Sequence, residues 1–278
     1  MSARLRGIAR ETEAIVRAGS YRTPGGREVS IERALTTALS GTRLHGPEPV
    51  PVAALDTDRT PVIEVTAESS LQAAHRMTGA SPAKVAVLNY ASARNPGGGY
   101  LNGAQAQEEA LCRASGLHAT LLRAPEYYAH HRAERTAFYS DRVIHSPGVP
   151  VFRDDRGRLL DTPYTAGFLT SPAPNAGVVR RQEPGRAHRI PAALASRAGR
   201  VLEVAAARGY RRLVLGAWGC GVFQNDPAEV AGAFRTLLTD GGRFAGHFEQ
   251  IVFGILDRTP DSAVRAAFAR EFAGQLQP

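Results

Sequence analysis

Residues 84–110, KVAVLNYASARNPGGGYLNGAQAQEEA, read in succession as a strand, a glycine-rich turn and the start of a helix. KVAVLNYA (84–91) is short, apolar and rich in β-branched residues, the pattern of a buried strand. Asn-Pro then interrupts the run, and Gly97, Gly98 and Gly99 follow. Lacking a Cβ, these three can take positive φ and bring backbone close to a ligand. Gln107, Glu108 and Glu109 open a helical pattern whose apolar side is Ala110, Leu111 and Ala114. A helix start behind a glycine loop is a place to hold a polar or anionic ligand, and here it would offer that ligand carboxyl groups. Each half of the pattern also has an ordinary reading. Glutamates in a first helical turn complement the helix dipole, and three glycines suit a flexible turn.

Working outward, the pattern from Pro61 onward is α/β. VIEVT (62–66) is a second buried strand, and Ser69 to Thr78 a helix. Beyond the QEE helix, helical character continues to about Arg132. VIHS (143–146), VPVF (149–152) and YTAGFLTS (164–171) then supply strands, with a hairpin turn at DDRG (154–157). Asn175 to Arg189 reads as a loop and Pro191 to Ala207 as a long helix ended by Gly209. RLVLGAW (212–218), a helix from Pro227 to Leu238, EQIVFGIL (249–256) and a helix from Asp261 complete the alternation. Strands separated by helices imply a parallel or mixed sheet covered on both faces. Ligands of such sheets bind outside the carboxyl ends of the strands, which is where Glu64–Thr66, Asn89–Gly99 and Gly216–Asn225 fall.

Before residue 60 the chain reads as an N-terminal accessory layer. Helical spacing runs from Arg4 to Ala18, TPGGREV (23–29) is a tight turn, Ser30 is placed to cap a helix through Leu39, and GPEPVPVAAL (46–55) suits an extended connector. Domain organisation is therefore expected to be one unit over 1–278, with 1–60 accessory and 61–278 the core.

Composition excludes several classes. With 43% apolar and 22% charged residues the chain matches an ordinary globular protein, and no apolar run reaches the length of a membrane span. The opening MSARLRGIARETEAIVRAG lacks the apolar core of a signal peptide. Two cysteines, Cys112 and Cys220, are too few for a disulfide framework, so a cytoplasmic location is expected. The net charge of +8 favours polyanionic partners. The arginines that supply it are scattered and Lys84 is the sole lysine, so no nucleic-acid-binding run stands out. His118, His130, His131 and His145 lack the spacing of a zinc site, and the 130–131 pair reads as part of a solvated face. No metal, nucleotide or redox cofactor is expected.

A second glycine loop, GAWGCGVFQND (216–226), follows the apolar strand RLVLG and precedes a helix with a capping-box pattern from Asp226 to Glu229. Gly219 and Gly221 would let neighbouring backbone N–H groups converge on one anion, as in a diphosphate nest. Acids at the helix start oppose an anion at the helix terminus itself, which favours the loop amides of Gly219, Cys220, Gly221, Val222 and Phe223. Phe223 could pack on a ribose ring or be a core phenylalanine. Asn89 suits a turn.

The joined pattern of GGG, the seven-residue spacer Tyr100–Ala106 and QEE resembles the signature of the poly(ADP-ribose) glycohydrolases, in their short bacterial form. That resemblance implies a macrodomain-like three-layer α/β/α fold with a mixed central sheet and an N-terminal helical layer. It implies poly(ADP-ribose) and ADP-ribose as ligands, with poly-ADP-ribosylated proteins as partners and no need of nucleic acid or membrane. Glu109 is then the acid/base and Glu108 the holder of ribose hydroxyls. Asn95 would orient the distal ribose, while Gly97, Gly98, Gly99 and Gln107 belong to the same ligand-binding motif. The loop from Gly219 to Phe223 is similar to the macrodomain phosphate loop. Glu64 would accept from the adenine amino group, although a glutamate flanked by apolar residues also suits a surface charge on an edge strand.

The implied reaction is hydrolysis of the ribose–ribose O-glycosidic bond. Adjacent helical residues point about 100° apart, so Glu108 and Glu109 cannot flank a bond as facing carboxylates, and one of them must perform both proton transfers. The helix dipole lowers a carboxyl pKa; desolvation and substrate phosphates must oppose it. Two other functions fit the loops: a non-catalytic ADP-ribose reader, which would not need both glutamates, and a mono-ADP-ribosyl hydrolase, whose relatives lack QEE.

Overall fold

The computed structural model describes residues 2–52 and 59–275. In chain order the elements are α1 (Ala3–Ala18), β1 (Ser20–Arg22), β2 (Glu28–Ser30), α2 (Glu32–Gly41), β3 (Arg43–His45), β4 (Val62–Thr66), α3 (Ser70–Ala80) and β5 (Val85–Tyr90). Then come α4 (Gln107–Ala114), α5 (Leu117–Leu121), α6 (Pro125–Ala133), β6 (Val143–Arg153), β7 (Leu159–Ser171), α7 (Ala176–Gln182) and α8 (Ile190–Ala207). The last four are β8 (Arg212–Leu215), α9 (Pro227–Leu238), β9 (Gln250–Gly254) and α10 (Ala263–Glu271). Seven strands form one mixed sheet in the order β3-β6-β7-β5-β8-β9-β4. The pairs from β7 to β4 are parallel, and β3, β6 and β7 are antiparallel.

Strand alternation sorts the core into two layers, one on each face. Ala86 and Leu88 of β5, Leu213 and Leu215 of β8, and Ile251 and Phe253 of β9 pack with Leu194, Val201, Phe234 and Phe268 of α8, α9 and α10. The intervening Val85, Val87, Val214 and Val252 pack on the other face with Leu71, Leu111, Leu117 and Tyr127 of α3 to α6. This is a macrodomain-like α/β/α sandwich. No helix among the described residues is long and apolar enough to cross a membrane.

Several local expectations need correction. The N-terminal segment is more than an outer layer: β3 is an edge strand of the main sheet, three residues long and too short to show alternation. The tight turn expected at TPGGREV is present, as the tip of a hairpin between β1 and β2 whose second strand already includes Glu28 and Val29. Ser30 lies in β2 and the α2 N-cap is Ile31, without a side-chain cap bond. Part of the 46–55 connector lies outside the described residues. The expected loop at 175–189 is mostly helical: Asn175 caps α7 by accepting from the Val178 N–H, and a 3-10 turn covers Pro184–Arg189. Gly177 and two valines hide that short helix from a propensity reading. His131 is buried, not solvated. Its Nδ1 meets the Tyr127 carbonyl, Nε2 meets Ser140 Oγ, and burial lowers its pKa to about 4.

α1 is fastened to the elements that form the site. The Thr12 hydroxyl donates to the Arg113 carbonyl (2.8 Å), the Tyr100 hydroxyl to the Ala9 carbonyl (3.2 Å), and Glu13 meets His118 Nδ1 at 2.9 Å.

Candidate active site

β5 and β8 are adjacent and parallel, so the loops that leave Tyr90 and Leu215 emerge side by side at the carboxyl ends of the strands. The glycine loop after β5 turns back over the first turn of α4. Gly97 and Gly98 have φ of 68° and 58°, the left-handed region that favours glycine. A Cβ on Gly98 would lie 2.5 Å from Glu109 Oε1 and 3.2 Å from Glu108 Oε2. One on Gly97 would lie 3.1 Å from His118 and 3.2 Å from the Cys112 sulfur. The missing side chains thus make room for the two carboxylates and for the core beneath them.

The glutamates are held differently. Glu108 is 3% exposed; its Oε1 accepts from Asn89 Nδ2 (3.2 Å) and its Oε2 from the Ser92 N–H (2.7 Å). Burial raises its pKa to about 8; the hydrogen bonds from Ser92 and Asn89 oppose the rise, and the neighbouring Glu109 adds to it. Glu109, also buried, accepts from the Gly99 N–H at 2.9 Å. The elevated pKa therefore falls on Glu108, the glutamate to which the resemblance gives the ribose hydroxyls.

Gln107 is a tie rather than an open ligand. Its Oε1 accepts from the Tyr90 N–H (2.9 Å), and its Nε2 donates to the Leu88 carbonyl (2.8 Å) and Ser70 Oγ (3.1 Å). Both amide hydrogens are committed, which leaves none for a substrate. Asn89 is not a turn residue. It sits in β5 at 0% exposure, and its Nδ2 bridges Glu108 and Thr170 Oγ1 (3.1 Å). Alternation with Val85 and Val87 puts it on the α4 face, a signal present in the sequence. Asn95 is exposed at the loop entrance, where its carbonyl accepts from the Gly98 N–H at 3.0 Å.

The second glycine loop is built to present amides. Gly219 has φ 71°, and a Cβ there would lie 2.5 Å from Asn225 Nδ2 and 2.6 Å from Ala173 Cβ. Asn225 is buried and donates to the Pro174 (2.8 Å) and Gly219 (3.2 Å) carbonyls, locking the loop. Among the described residues no acceptor meets the N–H groups of Gly219, Gly221, Val222 and Phe223, and Val222 is 84% exposed. Asp226 caps α9, accepting from Ala228 (2.8 Å) and Glu229 (3.1 Å) N–H groups, so the helix terminus is already occupied by a carboxylate. Cys220 is half-buried, and burial raises its thiol pKa to about 12. Phe223 is half-buried, 6.0 Å from the Tyr139 ring.

Glu64 stands apart. It lies in the edge strand β4, pairs with Arg76 at 2.9 Å and accepts from Gln250 Nε2 at 2.7 Å. Its two oxygens are engaged on the sheet edge, which fits the surface-charge alternative. A cavity of about 710 Å³ instead opens beside Cys220 and Gly221, lined by Tyr90, Gln107, Leu71, Ile255 and Val264 and also by Leu5 and Ile8 of α1 and the hairpin turn Asp154–Gly157. Neither this use of α1 nor the reach of the hairpin to Ser69, whose hydroxyl donates to Asp155 at 2.6 Å, is legible in local sequence.

Comparison with known proteins gives a consistent picture. The family described as microbial-type PARG, catalytic domain, where PARG is poly(ADP-ribose) glycohydrolase, matches residues 9–154. The crystal structure of poly(ADP-ribose) glycohydrolase from Thermomonospora curvata superposes with a TM-score of 0.94 at 50% identity, covering 98% of this chain and 100% of that one. The same enzyme bound to the inhibitor ADP-HPD gives 0.91 at 51% identity, with coverage of 98% and 100%. The Deinococcus radiodurans enzyme in complex with ADP-ribose gives 0.80 at 43% identity over 91% and 99%. No curated protein matches the chain.

Proposed function

The chain belongs to the poly(ADP-ribose) glycohydrolase family, and from that premise we propose that it hydrolyses the ribose–ribose bond of poly(ADP-ribose) at the Glu108–Glu109 pair. The observation that carries the reading is the convergence of two buried carboxylates and a row of loop amides without internal acceptors at the ends of adjacent parallel strands.

The amides of Gly221, Val222 and Phe223 take the diphosphate of ADP-ribose, and the cavity beside Cys220 takes its adenosine half. Asn95 and Phe223 then face the distal ribose. Glu109 protonates the departing ribose oxygen as the C–O bond breaks, accepts a proton from the attacking water, and so returns to its starting state. Glu108, fixed by Asn89 and Ser92, keeps its own proton at neutral pH and can donate a hydrogen bond to a ribose hydroxyl. Gln107 positions both acids by tying α4 to β5. With α1 forming one wall of the cavity, the accessory segment and the core act as one catalytic unit.

Incubating the purified protein with poly(ADP-ribose) and measuring released ADP-ribose tests this reading. Glu109→Gln should cut the rate by about 10²–10⁴ while ADP-ribose still binds, because the amide keeps the shape and cannot supply the proton. Turnover of this variant near that of the parent protein would remove Glu109 from the mechanism.

A further inference from the structure

A strip of positive charge outside the acid pair abuts the second glycine loop. α7 and the 3-10 turn after it carry Arg180, Arg181, Arg186 and Arg189, all exposed, against Glu183 as their only acid. Glu183 pairs with Arg186. Arg181 and Arg189 have no carboxylate partner among the described residues. Arg186 and Arg189 both lie over the Phe138 ring, 5.1 and 5.8 Å from its centre. The strip is joined to the loop through backbone. The Gly177 N–H donates to the Phe223 carbonyl (2.9 Å), and the Arg180 guanidinium donates to the Gln224 carbonyl (2.8 Å). Phe138 precedes Tyr139, a residue at φ 58° whose ring faces that of Phe223 at 6.0 Å. Phe223 packs on Tyr139, and the adjacent residue in the chain, Phe138, carries the two arginines.

We infer that this strip is a track for the polymer beyond the bond being cut, where arginines hold the diphosphate of the next ADP-ribose unit. The inference rests on the glycohydrolase reading above. The oxygen that departs belongs to the adenosine ribose of the neighbouring unit, whose own diphosphate lies one nucleoside further along the chain. Guanidinium groups suit that ligand because they match phosphate oxygens with paired N–H donors, and stacking on Phe138 orders two of them before the chain arrives. The charge is also more than folding needs, since Arg181 and Arg189 serve no ion pair among the described residues.

Reversing both charges in the full-length protein, Arg181→Glu with Arg189→Glu, tests the track. One substrate is long-chain poly(ADP-ribose), and the other is an ADP-ribose glycoside whose leaving group is a small neutral alcohol. For the polymer, KM should rise about tenfold with kcat retained. The slope of log(kcat/KM) against log salt should become shallower by about 1.4, at about 0.7 for each single-strand phosphate that no longer meets a cation. Hydrolysis of the neutral glycoside and the Kd for ADP-ribose should not change, which also reports an intact fold. Arg189→Gln alone should give a smaller shift in the same direction. An unchanged polymer KM, or an equal loss on both substrates, overturns the inference. So does an unchanged polymer KM with weakened binding of a single-stranded DNA oligonucleotide, which would assign the strip to nucleic acid. If the unmodified protein cleaves neither substrate, the glycohydrolase reading itself fails, a result distinct from any of these.

Discussion

Gly98→Ala distinguishes a glycine that makes room for a ligand from one that makes room for Glu109, the proposed acid. The added Cβ would sit 2.5 Å from Glu109 Oε1, where ordinary van der Waals separation begins near 3.4 Å, so the carboxylate must retreat by about 0.9 Å. Retreat breaks the 2.9 Å hydrogen bond from the Gly99 N–H, worth about 0.5–1.5 kcal/mol. The φ of 58° adds a backbone cost of about 1–2 kcal/mol for a residue with a Cβ. That second cost falls on the fold, and it should appear as a modest drop in Tm. The first falls on the reaction, because a displacement near 1 Å at a reacting group can cost about 10²-fold in rate. Steady-state hydrolysis of poly(ADP-ribose) and calorimetry with ADP-ribose read the two quantities separately. The expected result is kcat lower by about 10²-fold with Kd within about threefold of the parent value, since the occupied space belongs to the glutamates. An alanine variant that keeps kcat and loses ADP-ribose affinity tenfold would refute this, showing that Gly98 faces the ligand.

Gly219→Val should do the converse, weakening ADP-ribose binding more than turnover of bound substrate, because its Cβ would strike Asn225 and Ala173 and deform the amide row; unchanged affinity by calorimetry would make this loop an ordinary turn. Glu108 adds a pH dependence to stability. Its pKa rises from the ordinary 4.5 to about 8 on folding, so the folded state holds a proton that the unfolded chain has released, and stability falls as pH rises through that window. The histidines lowered by burial, His131 among them, titrate near 6.5 in the unfolded chain and oppose the decline there, so the effect is isolated by the difference between the melts of the parent and of Glu108→Gln over about pH 6.5 to 8.5. Glu108→Gln should flatten that decline, and an equal slope in both proteins would contradict the assignment. Hydrolysis should survive treatment with EDTA followed by dialysis, since no Cys, His, Asp and Glu set has metal-ligand spacing in the sequence; loss restored by one divalent metal would move the reading to metal-dependent hydrolysis.

The strands and helices that position the site are legible in the sequence because each is periodic over its own length. VIEVT and the helix from Pro227 to Leu238 have the same bounds in sequence and structure, and Ser69 caps α3 with a capping box. Elements that depend on distant partners are not legible in this way. β3 has three residues and is a strand only because β6 lies beside it. The cavity wall at Leu5 and Ile8 exists because α1 is bonded to α4 and the glycine loop, and helical spacing alone does not say where a helix docks. The likeness of one strand places Glu64 at the ligand. Its edge position and its partners Arg76 and Gln250 come from topology, which a strand pattern does not contain.

The QEE motif shows how a sequence pattern can be sound while the division of labour within it stays hidden. The three residues occupy the first turn of one helix, yet each meets a different environment. Gln107 turns into the sheet and joins Tyr90, Leu88 and Ser70. Glu108 enters a pocket roofed by Asn89 and the Ser92 amide, where burial holds its proton. Glu109 faces the glycine loop and meets the Gly99 N–H. The 100° step of a helix enforces this separation, and it gives a physical reason for the glycines upstream. A loop that must pass against two buried carboxylates has no space for a side chain at Gly98, where even a methyl group would displace Glu109. A protein that only bound ADP-ribose would be free to fill that space and drop one acid. The clearance beside Gly98 therefore argues for catalysis independently of the likeness to known glycohydrolases.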